Sequence, residues 1–392
     1  MVLSSQVSKV RFACALLYLL TQYEAIPFDG VSHHALGGGS YVFKENYPEY
    51  LAKHITNGPR VEVNIIIQPN SSPHFGTIFS MTLSFCVARS IAVLGLEPVV
   101  VVDLWDNAKA EQLTMAGVTY QKGLRSSGRI AENIDDYREI VMFLSKHYDV
   151  PFRLRMEDEF LREPGMPDIV REIVRDRDHL GQSLAPSSGK LAIRSECAVE
   201  GCGLVDKYGA GNAYDETGDK IHFTCPLHGS FFVHIGTECD RLQFNCQLFN
   251  LVIGRYYTRA DIDHGYIQIC GGDYAGFWQE QLLWRHLTMP LLIVYTPLIV
   301  DWSGSKLSKS LYLKQDAYGY LVEAEMDYIL SYKSFKKRGM NLGVICAEVD
   351  LWVREPFRLF RCYTVHYVHM LFTRKDDLRL GIIHVRDRVN RA

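Results

Sequence analysis

Three cysteines and one histidine are spaced along the chain as the ligands of small, closed metal sites are spaced. They are Cys197, Cys202, Cys225 and His228. Three thiolates and one imidazole suit tetrahedral zinc, and glycines beside them suit the turns that such a site needs. The sequence therefore predicts a structural zinc ion. Cys239 or His222 remains an alternative for one ligand, and a cluster of buried free thiols is the alternative without a metal.

A second set of residues is acidic and lies at the start of a predicted helix. If Asn133 caps this helix, Asp135 and Asp136 fall in its first turn, where the helix dipole favours negative charge. Glu139 follows Asp135 by four positions on the same face, and two carboxylates so placed can bind a guanidinium group. Spacing alone leaves both interpretations open.

A third set lies between a predicted strand and a predicted helix, in the segment Pro-His-Phe-Gly-Thr of residues 73–77. The start of a helix favours an anion such as phosphate. Gly76 lets another group approach the backbone closely, and the His74 ring can donate a hydrogen bond to a phosphate or carboxylate. Helix entry without a ligand is the alternative.

A fourth set is a basic loop after another predicted strand. Lys306 and Lys309 lie three positions apart among serines in residues 301–310. Ammonium groups in a mobile loop can neutralise the charge of a phosphate. A solvated basic turn is the alternative.

The elements that position these residues follow from the apolar pattern. Residues 61–68 and 98–103 are β-branched apolar runs typical of buried strands, and the segment between them, from Gly76 to Gly95, has helical spacing. Such a strand-helix-strand unit has a right-handed crossover, and ligands bind at the carboxyl ends of its strands.

The remaining pattern predicts further elements. Helices are expected at 132–147 and, as a solvated charged helix, at 168–178. Strands are expected at 266–269 and 291–300, and helical periods at 322–332 and 349–372. The composition of residues 190–235 indicates an inserted small domain. We therefore expect four regions: 1–189, the first half of the catalytic domain with an N-terminal helix; 190–235, the zinc-binding insertion; 236–315, the second half; and 316–392, a helical C-terminal region.

Together and in this order, two of the motifs resemble the HIGH and KMSKS signatures of class I aminoacyl-tRNA synthetases. They read HFGT at residues 74–77 and KLSKS at residues 306–310. Gly272 and Asp273 precede the second motif, where that family places a segment near the ribose. The resemblance covers residues 60–315 and implies an α/β fold, a Rossmann-type parallel sheet. It further implies that substrate or nucleotide is bound by Gly76, Thr77, Asp103, Asp106, Gly272, Asp273, Lys306 and Lys309.

One departure from the family pattern concerns the chemistry. Thr77 replaces the second histidine of HIGH, which in the family helps to stabilise the adenylation transition state. Leu307 in place of methionine is a mild change. The departure at Thr77 argues against adenylation.

The acidic set carries a narrower resemblance. Asp135-Asp136-x-x-Glu139 in a shortened synthetase-like chain resembles the DDxxE segment of fungal arginine-containing cyclodipeptide synthases. That family joins an arginyl group and a second aminoacyl group, both delivered as aminoacyl-tRNA, into a diketopiperazine. The resemblance implies that these three residues are needed for activity. His74 of the HFGT segment is expected to be a further catalytic residue. It also implies that ATP is not required and that tailoring enzymes act downstream.

Composition limits the other possibilities. The formal net charge is -3 and the sequence pI is near 6.5, so RNA contact must come from local patches rather than a global basic field. No uninterrupted apolar stretch reaches the length of a membrane span. Ten cysteines in 392 residues fit a reducing cytoplasm.

Three functions follow from these residues. The first is the cyclodipeptide synthase that uses arginyl-tRNA and a second aminoacyl-tRNA. The second is a class I ligase that charges tRNA with a basic amino acid, with ATP held by HFGT and KLSKS. The third is a silent synthetase paralogue that binds tRNA.

Overall fold

The computed structural model describes residues 47–55, 58–259, 262–274, 286–287, 291–307, 318–359 and 361–373. The expected N-terminal helix lies outside these residues. The strands are β1 Arg60–Ile67, β2 Glu97–Leu104, β3 Lys109–Met115, β4 Val118–Gly123, β5 Phe152–Met156, β6 Ile193–Ser195, β7 Leu204–Asp206, β8 Ala213–Tyr214, β9 Lys220–Cys225, β10 Gly229–His234, β11 Leu242–Phe244, β12 Gly265–Gly271, β13 Leu292–Thr296, β14 Ile299–Val300 and β15 Tyr363–Thr364.

The helices are α1 Tyr47–Lys53, α2 Phe75–Ala92, α3 Ile134–Tyr148, α4 Glu157–Phe160, α5 Met166–Arg175, α6 Arg177–Leu184, α7 Ile235–Glu238, α8 Cys246–Tyr257, α9 Gly319–Glu323, α10 Tyr332–Lys337, α11 Leu342–Arg354 and α12 Val365–Thr373. Short 3-10 turns occur at Arg129–Glu132, Cys239–Arg241, Gly272–Tyr274, Asp327–Ile329 and Pro356–Arg358.

The central sheet has five strands in the order β13-β12-β1-β2-β5, and every neighbouring pair is parallel. Counted along the chain among these strands, the order is that of the Rossmann fold, in which the first strand lies in the middle. β1 and β2 are apolar along most of their length because both faces of the sheet are covered. The predicted Rossmann-type fold is confirmed.

Two hydrophobic cores lie on opposite faces of this sheet, because successive side chains of a strand point to opposite sides. On β12, Ile267 and Ile269 belong to the first core, whereas Tyr266 and Cys270 belong to the second. The first core also contains α2, α3 and the helices of the C-terminal region, including the buried Trp352. The C-terminal region therefore completes the same core as the first half of the chain.

The second core corrects one prediction about a helix. Residues 168–178 were expected to form a solvated helix, but α5 buries a full apolar face. Its buried residues are Met166, Ile169, Val170, Ile173 and Val174. This i, i+3, i+4, i+7, i+8 spacing places them along one side of the helix. The charged residues lie on the other side, so α5 is amphipathic.

The inserted region folds with a hairpin that precedes it in the chain. β7, inside the insertion, pairs antiparallel with β4, and β4 pairs antiparallel with β3. β8, β9 and β10 form a second antiparallel sheet. The unit around the cysteine cluster therefore combines residues 109–123 with the predicted insertion of residues 190–235.

By length and composition, α2 would be able to cross a membrane. In this fold it packs against β1, β2 and β12, and 67% of its 18 residues are buried inside the protein. It is the central helix of the first core. The sequence analysis found no uninterrupted apolar run of this length because serines and threonines are interspersed along it.

Candidate functional site

A cavity of about 690 Å³ opens at the carboxyl ends of β1, β12 and β13. Five of the residues predicted from the two synthetase-like motifs and the Gly-Asp segment line it. They are His74, Gly76, Thr77, Asp273 and Lys306. The structure therefore brings together residues that lie more than 200 positions apart in sequence, at the edge of the sheet where Rossmann-type folds bind ligands.

The HFGT segment forms the entry to α2. His74 is extended, and its carbonyl oxygen accepts hydrogen bonds from the amides of Thr77, at 3.0 Å, and Ile78, at 3.1 Å. A Cβ atom on Gly76 would lie 2.8 Å from Cε1 of His74, so only glycine lets the imidazole lie this close to the helix. Phe75 is fully buried against Tyr328 and Phe335. Phe75 thus anchors the start of α2 in the core, and Gly76 leaves space beside the helix for the ring of His74 at the cavity wall.

The loop that begins the KLSKS motif is a compact turn. The carboxylate of Asp301 accepts hydrogen bonds from the amides of Ser303, at 2.8 Å, and Ser305, at 3.1 Å. Gly304 has a φ of +80°, which favours glycine. The amide of Leu307 then bonds to the carbonyl of Ile299 at 2.8 Å. This turn returns the chain to the cavity at Lys306.

Lys306 forms an ion pair with Asp273, with 2.5 Å between Nζ and Oδ2. Gly272 begins the 3-10 turn that follows β12 and contains Asp273. A Cβ atom on Gly272 would lie 3.2 Å from the carbonyl oxygen of Thr296. Glycine therefore lets this turn pack against the end of β13. Lys309, the second lysine of the motif, lies outside the described residues.

Asp103 and Asp106 lie in buried ion pairs and do not line the cavity. Asp103 accepts two hydrogen bonds from Arg155, at 2.6 and 2.9 Å. Arg125 makes the same two-point contact with Asp106, at 2.6 and 2.9 Å. Burial by itself lowers the pKa of Arg155, but Asp103 reverses this effect and the pKa lies well above its ordinary value. Both aspartates belong to the scaffold, and we exclude them from the proposed binding site.

The acidic residues of α3 lie outside the cavity wall and point in different directions. The side chain of Asp135 is 84% exposed and pairs with Arg138 at 2.6 Å. Asp136 is buried, and it and Glu139 both contact Lys336, at 3.1 and 2.7 Å. The pairing expected from spacing joined Asp135 to Glu139, whereas the structure joins Asp136 to Glu139. An α-helix allows both, because positions i+3 and i+4 lie on neighbouring parts of its surface.

The cavity also has lining residues that the sequence analysis did not single out. They include Trp105, Lys109, Arg129, Cys246 and Gln268. Lys109 and Arg129 follow the carboxyl end of β2, so the general rule that ligands bind at strand ends was the available signal. Cys246 begins α8 and burial raises its pKa to about 12, which favours the neutral thiol. No pattern in the sequence indicated its position.

The four predicted metal ligands form one cluster whose ligand atoms lie within 4.8 Å of one another. Sγ of Cys202 lies 3.7 Å from Sγ of Cys225. Nδ1 of His228 lies 3.4 Å from Sγ of Cys197 and 3.6 Å from Sγ of Cys225. Tetrahedral bonds of about 2.3 Å to sulfur and 2.0 Å to nitrogen place sulfur atoms about 3.8 Å apart and sulfur and nitrogen about 3.5 Å apart. The cluster fits a tetrahedral metal ion.

The alternative ligands lie elsewhere. Cys239 is buried in the second hydrophobic core, and His222 is exposed beside Phe232. Within the described residues, the thiol and imidazole groups that converge are therefore those of the original prediction.

The fold was compared with those of known proteins. No family profile and no curated protein matches the chain. Its structure is similar to those of two bacterial glutamate-tRNA ligases. One, from Elizabethkingia meningosepticum, was solved in complex with its amino acid; it is 15% identical, has a TM-score of 0.28, and the match covers 66% of this chain and 53% of that chain. The other, from Elizabethkingia anophelis, is 13% identical with a TM-score of 0.29, and the match covers 66% and 54%.

The match spans about half the length of each ligase. The similarity is one of fold, and at this level it carries no substrate or reaction over to the present chain. Substrate and reaction are therefore argued from the cavity and its residues.

Proposed function

We propose that this chain is an arginine-containing cyclodipeptide synthase of the cytoplasm, which joins arginyl-tRNA and a second aminoacyl-tRNA into a cyclic dipeptide. The observation that carries the proposal is the meeting of the HFGT segment with Asp273 and Lys306 in one cavity at the sheet edge. Motifs of this kind in class I synthetases bind an adenosine that carries an aminoacyl or phosphate group. The 3′ end of aminoacyl-tRNA has such an adenosine.

The reaction uses an ester that is already activated. The α-amine of one aminoacyl group attacks the ester carbonyl of the other, a C–N bond forms, the C–O bond breaks, and the ribose hydroxyl of the tRNA leaves. A second, intramolecular attack closes the ring and releases the other tRNA. No ATP is consumed. The protein must position both groups, accept a proton from each attacking ammonium and stabilise the oxyanion.

Residues at the cavity offer groups for these tasks. His74 has an imidazole for proton transfer, and the amides of Phe75 and Gly76 at the start of α2 precede the first hydrogen bond of the helix, which Thr77 donates to His74. Lys306 offers a positive charge to the phosphates next to the terminal adenosine, and Asp273, which lines the same cavity, is assigned to the ribose by the resemblance of its segment to the synthetases. Asp135, Asp136 and Glu139 match the DDxxE segment of the synthases. Tailoring enzymes that modify a diketopiperazine are the expected downstream partners.

We further propose that the metal is structural zinc, held by Cys197, Cys202, Cys225 and His228. These residues account for a complete tetrahedral set, which leaves no position for a substrate. The zinc ion then stabilises the inserted unit and takes no part in the reaction.

Lys306 favours a second candidate, an ATP-dependent class I ligase for a basic amino acid, because a lysine at this place in the cavity suits a triphosphate as well. Thr77 argues against it, since threonine cannot supply the charged imidazole of the family's second histidine.

The test is to incubate the purified protein with arginyl-tRNA and a pool of other aminoacyl-tRNAs without ATP, and to search for cyclic dipeptides by mass spectrometry. His74→Ala protein and uncharged tRNA serve as controls. An arginine-containing diketopiperazine that needs both charged tRNA and His74 supports the synthase. No dipeptide, together with ATP-dependent charging of free tRNA, would overturn it in favour of the ligase.

A further inference from the structure

The loop that precedes His74 is held by a helix from the far end of the chain. The amide of Tyr332, at the start of α10, donates a hydrogen bond to the carbonyl of Pro73 at 2.7 Å. The amide of Lys333 donates one to Oγ of Ser72 at 3.0 Å. Ser72 and Pro73 are the residues directly before His74, so α10 fixes the backbone that carries the imidazole into the cavity.

The acidic residues of α3 hold α10 in turn. Nζ of Lys336 lies 3.1 Å from Asp136 and 2.7 Å from Glu139, and the hydroxyl of Tyr332 donates to Glu139 at 3.1 Å. The hydrogen bond with Glu139 is the main cause of a raised pKa at Lys336, which keeps its charge at neutral pH. Burial, and then Glu139, raise the pKa of Tyr332, so its hydroxyl remains a donor.

A residue between the acids contacts the same loop directly. The hydroxyl of Tyr137 lies 3.3 Å from the carbonyl of Gln68 and 3.0 Å from that of Ser71, and its side chain is fully buried. The loop from Gln68 to Pro73 is thus hydrogen-bonded both to α3, through Tyr137, and to α10, through the amides of Tyr332 and Lys333. Asp136 and Glu139 join these two helices.

We infer that Asp136, Glu139, Lys336 and Tyr332 are positioning residues that set the placement of His74, and that the two acids do not contact the substrate. Both oxygens of Glu139 and one oxygen of Asp136 contact Lys336 or Tyr332 of the chain itself, and neither acid lines the cavity. The second oxygen of Asp136, Oδ2, is buried without a hydrogen-bond partner among the described residues. An incoming guanidinium would have to displace Lys336 and would release α10 from α3. The inference concerns the site of the proposed function, and its activity measurement rests on that function.

The central test uses Lys336→Met, with Lys337→Met as the matched control, because Lys337 is the exposed neighbour on the same helix. We expect Lys336→Met to accelerate amide hydrogen exchange in peptides that cover residues 68–78. We expect it to lower kcat for dipeptide formation roughly ten- to a hundredfold while KM changes little, since misplacement of a catalytic group costs rate rather than binding. The control should match the wild type in both measurements.

Three further variants separate positioning from substrate contact. Ser72→Ala removes one contact of α10 without changing a charge, and should accelerate exchange in the same peptides. Glu139→Gln removes the negative charge and keeps a side-chain oxygen that can accept the hydrogen bond from Tyr332. We expect this variant to keep most of the loop protection and to lose rate only as far as protection is lost. Lys336→Arg, which keeps the charge, should retain both.

The outcomes are distinguishable from a failure of the proposed function. If the wild type forms no dipeptide, the proposed function fails, and hydrogen exchange in residues 68–78 still decides the inference. Unchanged exchange in Lys336→Met would overturn it. So would a Glu139→Gln protein that protects the loop as the wild type does but is inactive while the wild type is active, because Glu139 would then act on the substrate itself.

Discussion

Lys306 and Asp273 form an ion pair in the cavity wall, with 2.5 Å between Nζ and Oδ2, although 33 positions separate them in the sequence. The pair joins the turn after β12 to the turn after β14. It leaves one cationic and one anionic group at the same place in the cavity wall. Removal of either residue leaves the charge of the other without its partner.

We predict that Lys306→Met lowers the rate with aminoacyl-tRNA at limiting concentration by roughly tenfold or more, the range of a hydrogen bond to a charged group. The variant loses a cation for the phosphates, and the carboxylate of Asp273 then repels them. Steady-state kinetics of dipeptide formation measure the effect. Lys146→Met, at an exposed position of α3, is the control and should retain the wild-type rate. If Lys306→Met and Lys146→Met had equal rates, Lys306 would not belong to the binding site.

We predict one zinc ion per chain in freshly purified protein, measured by elemental mass spectrometry. Cys225→Ser should lose the metal and unfold at a lower temperature, because a structural zinc site contributes its binding energy to folding. Cys362→Ser, at an exposed cysteine outside the cluster, should keep both the zinc and the melting temperature. A protein purified without metal and unaffected by Cys225→Ser would contradict the assignment.

The pair Asp103 and Arg155 leads to a prediction about stability. Arg155→Met leaves the buried carboxylate of Asp103 without its main partner, and loss of one member of a buried pair costs about 3–5 kcal/mol of unfolding free energy. The double variant Asp103→Leu, Arg155→Met removes both charges and should recover most of this loss. Chemical denaturation measures both. If Asp103→Leu alone left stability unchanged but abolished substrate binding, Asp103 would belong to the site after all.

Glu157 leads to a prediction about pH. Burial raises its pKa well above the ordinary value, so the folded protein retains a proton that the unfolded chain releases above a pH of about 4.3. The unfolding free energy of the wild type should therefore fall as the pH rises from 5 to 7, relative to Glu157→Gln, which cannot ionise. Denaturation of both proteins at several pH values tests this. Asn107 donates a hydrogen bond to the carboxyl group of Glu157. Glu157→Gln alters this contact by an amount that does not depend on pH, so a stability difference independent of pH would contradict the prediction.

The local elements were predictable because apolar spacing is a local property. The structure places β1, α2 and β2 within a few residues of the bounds read from the sequence. The approach of His74 and Lys306 to one cavity was predictable too, because His74 follows β1 and Lys306 lies beyond β13, and these are parallel strands of one sheet. The burial of α5 was missed although its apolar residues have the spacing of a buried helix face. The prediction of a solvated helix relied on the charged residues of this segment and overlooked the apolar ones.

Other features depend on partners that spacing does not reveal. Arg155 lies 52 positions after Asp103 and Arg125 lies 19 after Asp106, so nothing near either aspartate indicated an ion pair. The predicted strand at 291–300 is two strands, β13 and β14, which end and begin on either side of Pro297 and Leu298. Proline has no amide hydrogen for a sheet ladder, and this was the missed signal.

The hydrogen bond between Tyr332 and Pro73 has a consequence for synthesis of the chain. The loop before His74 cannot take its final form until α10, Tyr332–Lys337, has been translated and has left the ribosome. The strands β12 and β13, which complete the sheet, are also translated long after α2. The cavity is therefore assembled late in synthesis, and a growing chain carries His74 on an unsupported loop.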